Sequence, residues 1–145
     1  MLNPSDITQA VETAFNKDPV FNSFTIERGE FVNMNPALCP WLGIYRNDIN
    51  YAPETLGAGP DHWTAIMTLT LIVQASNLSS GAQTEDDLEG YVESVITKMF
   101  GDTTLRGSID IINALKVSYS YLAEDEKTMF FQSALIEMTL EVSTS

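Results

Sequence analysis

The sequence predicts an α+β domain: a mostly antiparallel, twisted sheet with two amphipathic helices packed on one face. Three observations predict it. Residues 63–75 alternate strictly, with Trp63, Ala65, Met67, Leu69, Leu71, Val73 and Ala75 on one side. Two other stretches repeat apolar residues at helical spacing. Near the C-terminal end, two more alternating stretches flank an acidic, turn-forming run. One-sided strands with a few amphipathic helices pack as two layers around one core.

The chain has 145 residues, a length that suits one domain, and we expect a single domain over 1–145. At 44% hydrophobic and 19% charged it reads as globular. The first helix is expected from the Asn3-Pro4-Ser5-Asp6 start, where Asn caps and Pro occupies the first turn. Ile7, Ala10, Val11, Ala14 and Phe15 form its apolar stripe, and Asp18-Pro19 ends it. A short strand over 24–28 follows, with a turn at Gly29. "CPWLGIY", residues 39–45, reads as the next strand, which Pro40 restricts to an edge or a strand start. Residues 46–62 carry Pro53, Gly57, Gly59 and Pro60 and read as a loop of about 15 residues, a length that tends to be functional.

The strand over 63–75 has a second face of Thr64, Ile66, Thr68, Thr70, Ile72 and Gln74. That face is too apolar for a purely solvated one, so a second layer or a partner is expected to cover part of it. The second helix is expected to open at Thr84, with Glu85, Asp86 and Asp87 near the positive end of its dipole. Leu88, Tyr91, Val92, Val95, Ile96, Met99 and Phe100 form its stripe, and Gly101 stops it. Leu115, Val117, Tyr119 and Tyr121 share one face of the next strand; Phe130, Ala134, Ile136, Met138, Leu140 and Val142 share one face of the last. "AEDEKT" joins them as a hairpin loop.

Charge and rare residues narrow the function. Twenty acids against seven bases leave a net charge of −13. Nucleic-acid binding requires phosphates neutralised by Lys and Arg, and seven singly placed bases make no basic patch, so binding to nucleic acid or an anionic membrane is not expected. No apolar run approaches the roughly 18 residues of a membrane span, and the N-terminus lacks the basic and apolar regions of a signal peptide. One cysteine permits neither an internal disulfide nor a multi-cysteine zinc site.

Residues 35–63 hold the only cysteine, the only histidine, both tryptophans and four of the six prolines. Cys39 and His62 are the one conceivable nucleophile–base pair. Yet Cys39 beside Pro40 and Trp41 reads as a small buried thiol, and His62 as a loop histidine. No G-x-S-x-G elbow is present, and Gly57-Ala58-Gly59-Pro60 lacks the Gly-Lys-Ser of a phosphate loop. The acids of "TEDDLEG" lack the spacing of a calcium loop. We therefore expect no enzyme activity, no cofactor and no metal. A small hydrolase or ligand-binding domain using Cys39 and His62 is the alternative from another class.

Several segments, taken together, carry a family resemblance: "CPWLGIY", then Y-x-P-x-x-L-G-x-G over 51–59, Trp63, "LIVQASNLSSG" over 71–81, "EDDLE" over 85–89, "DTTLRGSIDIINALKVSYSY" over 102–121 and "FFQSALIEMTLEVST" over 130–144. In this order they resemble the tail terminator, or tail completion, proteins of long-tailed bacteriophages, across about residues 24–144. Arg106-Gly107 stands where two glycines are expected.

The resemblance implies a structural virion protein, located in the virion tail and, during assembly, in the host cytoplasm. It implies a homo-oligomeric ring, a hexamer, that caps the head-proximal end of the tail tube and ends tube polymerisation. Its partners would be the tail tube protein and the head connector protein, joined through head–tail docking, with DNA passing through unbound and no membrane involved. Another head–tail connector or adaptor is the alternative within this class. On this reading the 46–62 loop is a partner interface, with Asp48, Tyr51, Glu54, Leu56 and Asp61 as candidate contacts. An acidic channel wall would repel passing DNA; Glu124, Asp125 and Glu126 are its candidates, since the helix dipole explains the Glu85 cluster equally well.

Overall fold

A computed structural model describes residues 4–30, 33, 35–53, 63–77, 80–102, 111–125 and 129–143. Helix α1 (Pro4–Lys17) is followed by strand β1 (Thr25–Arg28), β2 (Trp41–Pro53), β3 (Trp63–Asn77), helix α2 (Gly81–Gly101), β4 (Ile111–Asp125) and β5 (Met129–Ser143). The strands form one five-stranded mixed sheet in the order β1-β2-β3-β5-β4. Three of the four pairings are antiparallel; β1 runs parallel to β2. The α+β architecture is as the sequence predicts, and the parallel pair makes the sheet mixed.

The alternation of β3 sets the layers. Ala65, Met67, Leu69, Leu71, Val73 and Ala75 are buried and face the helices. Their neighbours in register, Ile44 and Leu42 on β2 and Ala134, Ile136, Met138, Leu140 and Val142 on β5, extend the same apolar face. Onto it α1 lays Ile7, Val11, Ala14 and Phe15, and α2 lays Leu88, Val92, Val95 and Met99. Phe15, Phe21, Phe24 and Tyr91 link the two helices through three edge-to-face contacts, with centroids 4.8, 5.1 and 5.1 Å apart. Burial of this single face is the main stabilising term.

The opposite face is covered for half its length. A parallel pair needs a crossover, unlike a hairpin, and between β1 and β2 the described residues 33 and 35–40 lie across this side. Asn33 and Asn35 shape it: Asn33 Nδ2 donates to the Asn35 carbonyl at 2.8 Å, and the Asn35 and Ala37 N–H groups donate to Asn33 Oδ1 and Asn35 Oδ1. Two contacts pin it to β3. Ser76 Oγ donates to the Pro36 carbonyl at 2.9 Å. The Gln74 amide, oriented to satisfy both groups, donates to the Asn33 carbonyl at 3.0 Å and accepts from its N–H at 3.3 Å. Beneath the crossover Trp41 is fully buried, its indole folded over Gly43. Thr70, Ile72 and Gln74 are buried there too, whereas Ile66 is 39% exposed. The chain itself thus supplies the second layer over one half of the Thr/Ile face.

Three boundaries differ from expectation. β2 continues through Pro53, so the first half of the expected 46–62 loop is strand; Pro53 pairs with Trp63, and β-propensity of Tyr45, Ile49 and Tyr51 outweighs the polar residues between them. The strand absorbs those residues with a register shift between Arg46 and Ile49. Helix α2 starts three residues earlier than expected. Ser80 caps it by accepting from the Gln83 N–H, and Thr84 is an interior residue whose hydroxyl donates to the Ser80 carbonyl. β4 runs to Asp125, so Ala123, Glu124 and Asp125 of the expected "AEDEKT" loop are strand, and residues 126–128 lie outside the described residues. The stop at Gly101 is as expected: Asp102 caps the helix and accepts from Lys98, which also bridges to Asp18 at 3.1 Å.

Two substitutions test this packing. A Cβ on Gly43 would lie 2.3 Å from the Trp41 ring and 2.9 Å from the Glu30 carbonyl. Gly43→Ala should therefore cost about 1–3 kcal/mol in urea unfolding. Gly90, inside α2 with nothing within 4 Å of an added Cβ, should gain about 0.5–1 kcal/mol as Gly90→Ala. A neutral effect at Gly43 would contradict the Trp41 placement.

The Lys98 bridge should appear in the pH dependence of stability. The Val20 N–H and then Lys98 hold the Asp18 carboxyl below its usual range. Its contribution is present above the ordinary aspartate value and is lost as pH falls through the folded value. Burial pulls the Lys98 ammonium down, but Asp102 and Asp18 outweigh that and raise it. That contribution is lost as pH rises through the folded value. Lys98→Met should flatten both limbs of a melting-temperature profile from pH 2 to 11; an unchanged profile would remove the bridge from the stability account.

Candidate functional site

The single thiol sits at the end of the crossover. Asn35 caps a short turn over Pro36–Leu38, Cys39 closes it, and Pro40 leads into β2. Burial pushes the Cys39 thiol up to about 11, against a smaller opposing effect of a hydrogen bond with Ser76. The group is protonated at neutral pH, whereas a nucleophilic cysteine needs its thiolate. His62, its conceivable base, lies outside the described residues. Among the described residues no group of three His, Cys, Asp or Glu is placed to hold a metal ion, and no helix is long and apolar enough to cross a membrane.

The candidate partner contacts separate. Asp48 lies at the β2 register shift and is exposed. Beside it, Asn47 Oδ1 accepts from the Thr70 hydroxyl. Tyr51 is opposite Ala65 and packs against the core from the helix side. Glu54, Leu56 and Asp61 lie outside the described residues. Of the candidate channel acids, Glu124 and Asp125 end β4, opposite Phe130 and Met129, and Glu126 is outside the described residues.

Two further surfaces escaped the sequence reading. At the β1 edge, Arg28 and Arg46 flank Ile44 on the helix side of the sheet. With Thr8 of α1, Gly29 and Tyr45 they line a cleft of about 390 Å³. At the β4 edge, Glu85 and Glu89 of α2 stand over Tyr119, Ser120 and Gln132 around a groove of about 190 Å³. Burial, and then the charge of Glu89, raise the Tyr119 hydroxyl. Tyr119 is 52% and Leu115 39% exposed: α2 packs on β3 and β5, and of the helix side of β4 the core takes Ile112 and Val117 while these two stay partly open. Alternation alone assigns both to the core; only their place on an edge strand exposes them.

Among known proteins, no family model matches the chain and no curated protein matches it.

The thiol assignment has a direct check. Native Cys39 should be alkylated by iodoacetamide at pH 8 at least about tenfold more slowly than in the urea-unfolded chain, since the thiolate fraction falls about tenfold per unit of raised pKa. Equal rates would show an ordinary accessible thiol and remove the effect of burial, and a faster native rate would show an activated one.

Proposed function

We propose that the chain is a structural protein of a long-tailed bacteriophage virion. It caps the head-proximal end of the tail tube as a homohexameric ring, ends tube polymerisation and offers the surface to which the head connector docks. The observation that carries this reading is the ordered series of segments from residue 39 to 144, which resembles the tail terminators. Parts of four of those segments lie in one sheet, 41–45 in β2, 71–77 in β3, 111–121 in β4 and 130–143 in β5, while 85–89 lies in α2.

Three physical features support a non-catalytic, assembling role. The only thiol is protonated at neutral pH. The Thr64–Ile66–Thr68 half of one sheet face is left partly exposed, as a contact surface requires. A net charge of −13 repels DNA, so a duplex could pass a channel of such subunits without adhering.

The test is assembly in vitro. Tails made without this chain should be overlong and unable to join heads. Adding the purified protein should end growth and restore joining, with six-fold rings at the tail end by electron microscopy. A protein that leaves tube length and joining unchanged would overturn the reading. Within it, replacing Glu124, Asp125 and Glu126 together by Lys should leave joining intact and slow DNA ejection; ejection at the parental rate would remove these acids from the channel wall.

A further inference from the structure

We infer that the outer edge of β4 receives an extended basic segment of a different protein, which joins the sheet as a further strand. Its Lys or Arg side chains lie against Glu85, Glu89 and the Tyr119 ring. The inference stands apart from the tail reading, and neither depends on the other.

β4 is the last strand of the sheet, and among the described residues no strand pairs with its outer side. Its ladder with β5 runs regularly from Ala114 to Tyr121, between register shifts at Ile112/Ala114 and Tyr121/Ala123. In an antiparallel pair, alternate residues exchange their N–H and C=O groups with the partner strand, and the residues between them turn theirs outward. The regular stretch therefore offers about four such outward residues over about 26 Å. A row of this kind is satisfied by water or by an added strand.

The side chains above the row set the chemistry of the occupant. Leu115 and Tyr119 sit opposite the core residues Met138 and Ala134, so both are on the helix side, yet both stay partly exposed. Beside them Glu85 and Glu89, one helical turn apart and both exposed, line the groove with Tyr119. Gln132 Nε2 donates to the Gly81 carbonyl at 3.2 Å, which ties the start of α2 to the sheet next to this groove. Among the described residues neither glutamate is in a salt bridge.

A strand laid along β4 puts every second side chain on the helix side. A base there meets the two carboxylates, and its aliphatic stem covers the ring. A carboxylate there is repelled by both glutamates and by a chain of net charge −13. The bases must come from another chain. Neighbours on one face of a strand are two residues apart, whereas no two of the seven bases here lie within seven positions of each other. No segment of this chain, or of a second copy, presents a pair of bases to the groove.

The probe is a fluorescein-labelled peptide of about eight residues alternating Lys and Val, titrated with the intact protein by anisotropy at about 150 mM salt, where long-range attraction is screened. It should bind at least about tenfold more tightly than the same peptide with every backbone amide N-methylated, which keeps the charges and loses the donors. Glu85→Gln/Glu89→Gln, exposed changes whose fold circular dichroism checks, should weaken binding about fivefold or more. In hydrogen exchange the bound peptide should slow amides within residues 114–121. Equal affinity for the two peptides, unchanged binding by the glutamine variant, or no binding of the lysine peptide overturns the inference. So does exchange over 114–121 that slows with protein concentration when no peptide is present, since the edge then belongs to a second copy. None of these results bears on tube length or head joining, so the tail reading stands or falls by its own assay.

Discussion

β3 is constrained on four sides at once. β2 and β5 take its hydrogen bonds along 11 and 14 residue pairs respectively. Both helices press on one face, and the crossover with Trp41 presses on half of the other. The strict alternation of residues 63–75 satisfies these neighbours together, since a slip of one residue would turn Leu69, Leu71 and Val73 away from the helices. Everything peripheral is placed by reference to it. α2 crosses back over β3 and β5, and that position is what leaves Leu115 and Tyr119 of β4 exposed.

The elements that the sequence predicts well are those with a long, uniform period. The α1 stripe, the β3 faces and the partition of β4 and β5 are legible because one-sided burial imposes a pattern on many residues. Boundaries set by a single hydrogen bond are not. Ser80 rather than Thr84 caps α2, although Thr84 followed by acids is the stronger local signal; once inside the helix, Thr84 returns its hydroxyl to the Ser80 carbonyl. Pro53, Gly57, Gly59 and Pro60 suggest a loop over 46–62, yet the ladder with β3 carries β2 through Pro53.

The site was less legible than the fold for a related reason. Cys39 and His62 draw attention by rarity, but rarity carries no geometry. Arg28 and Arg46 are 18 positions apart in sequence and meet only because β1 joins β2 in parallel. A short strand followed by a glycine turn does not announce a parallel crossover, so nothing local brings the two arginines together. Tyr119 and Leu115 follow the apolar alternation of β4 without fault. Their exposure belongs to strand order, which pattern does not encode.

The outer edge of β4 has a consequence for the chain before it meets any neighbour. At 15 residues the strand is far longer than the usual five or six. No described strand pairs with its outer side, and Lys116 is its one basic side chain, the commonest guard against unwanted strand addition. A template this long would recruit like strands, were copies allowed to linger together. A net charge of −13 slows encounters between copies, which opposes strand addition at this edge without covering it. That opposition is a property of the whole charge, not of the edge, and it weakens wherever the carboxylates are neutralised before the strand is covered.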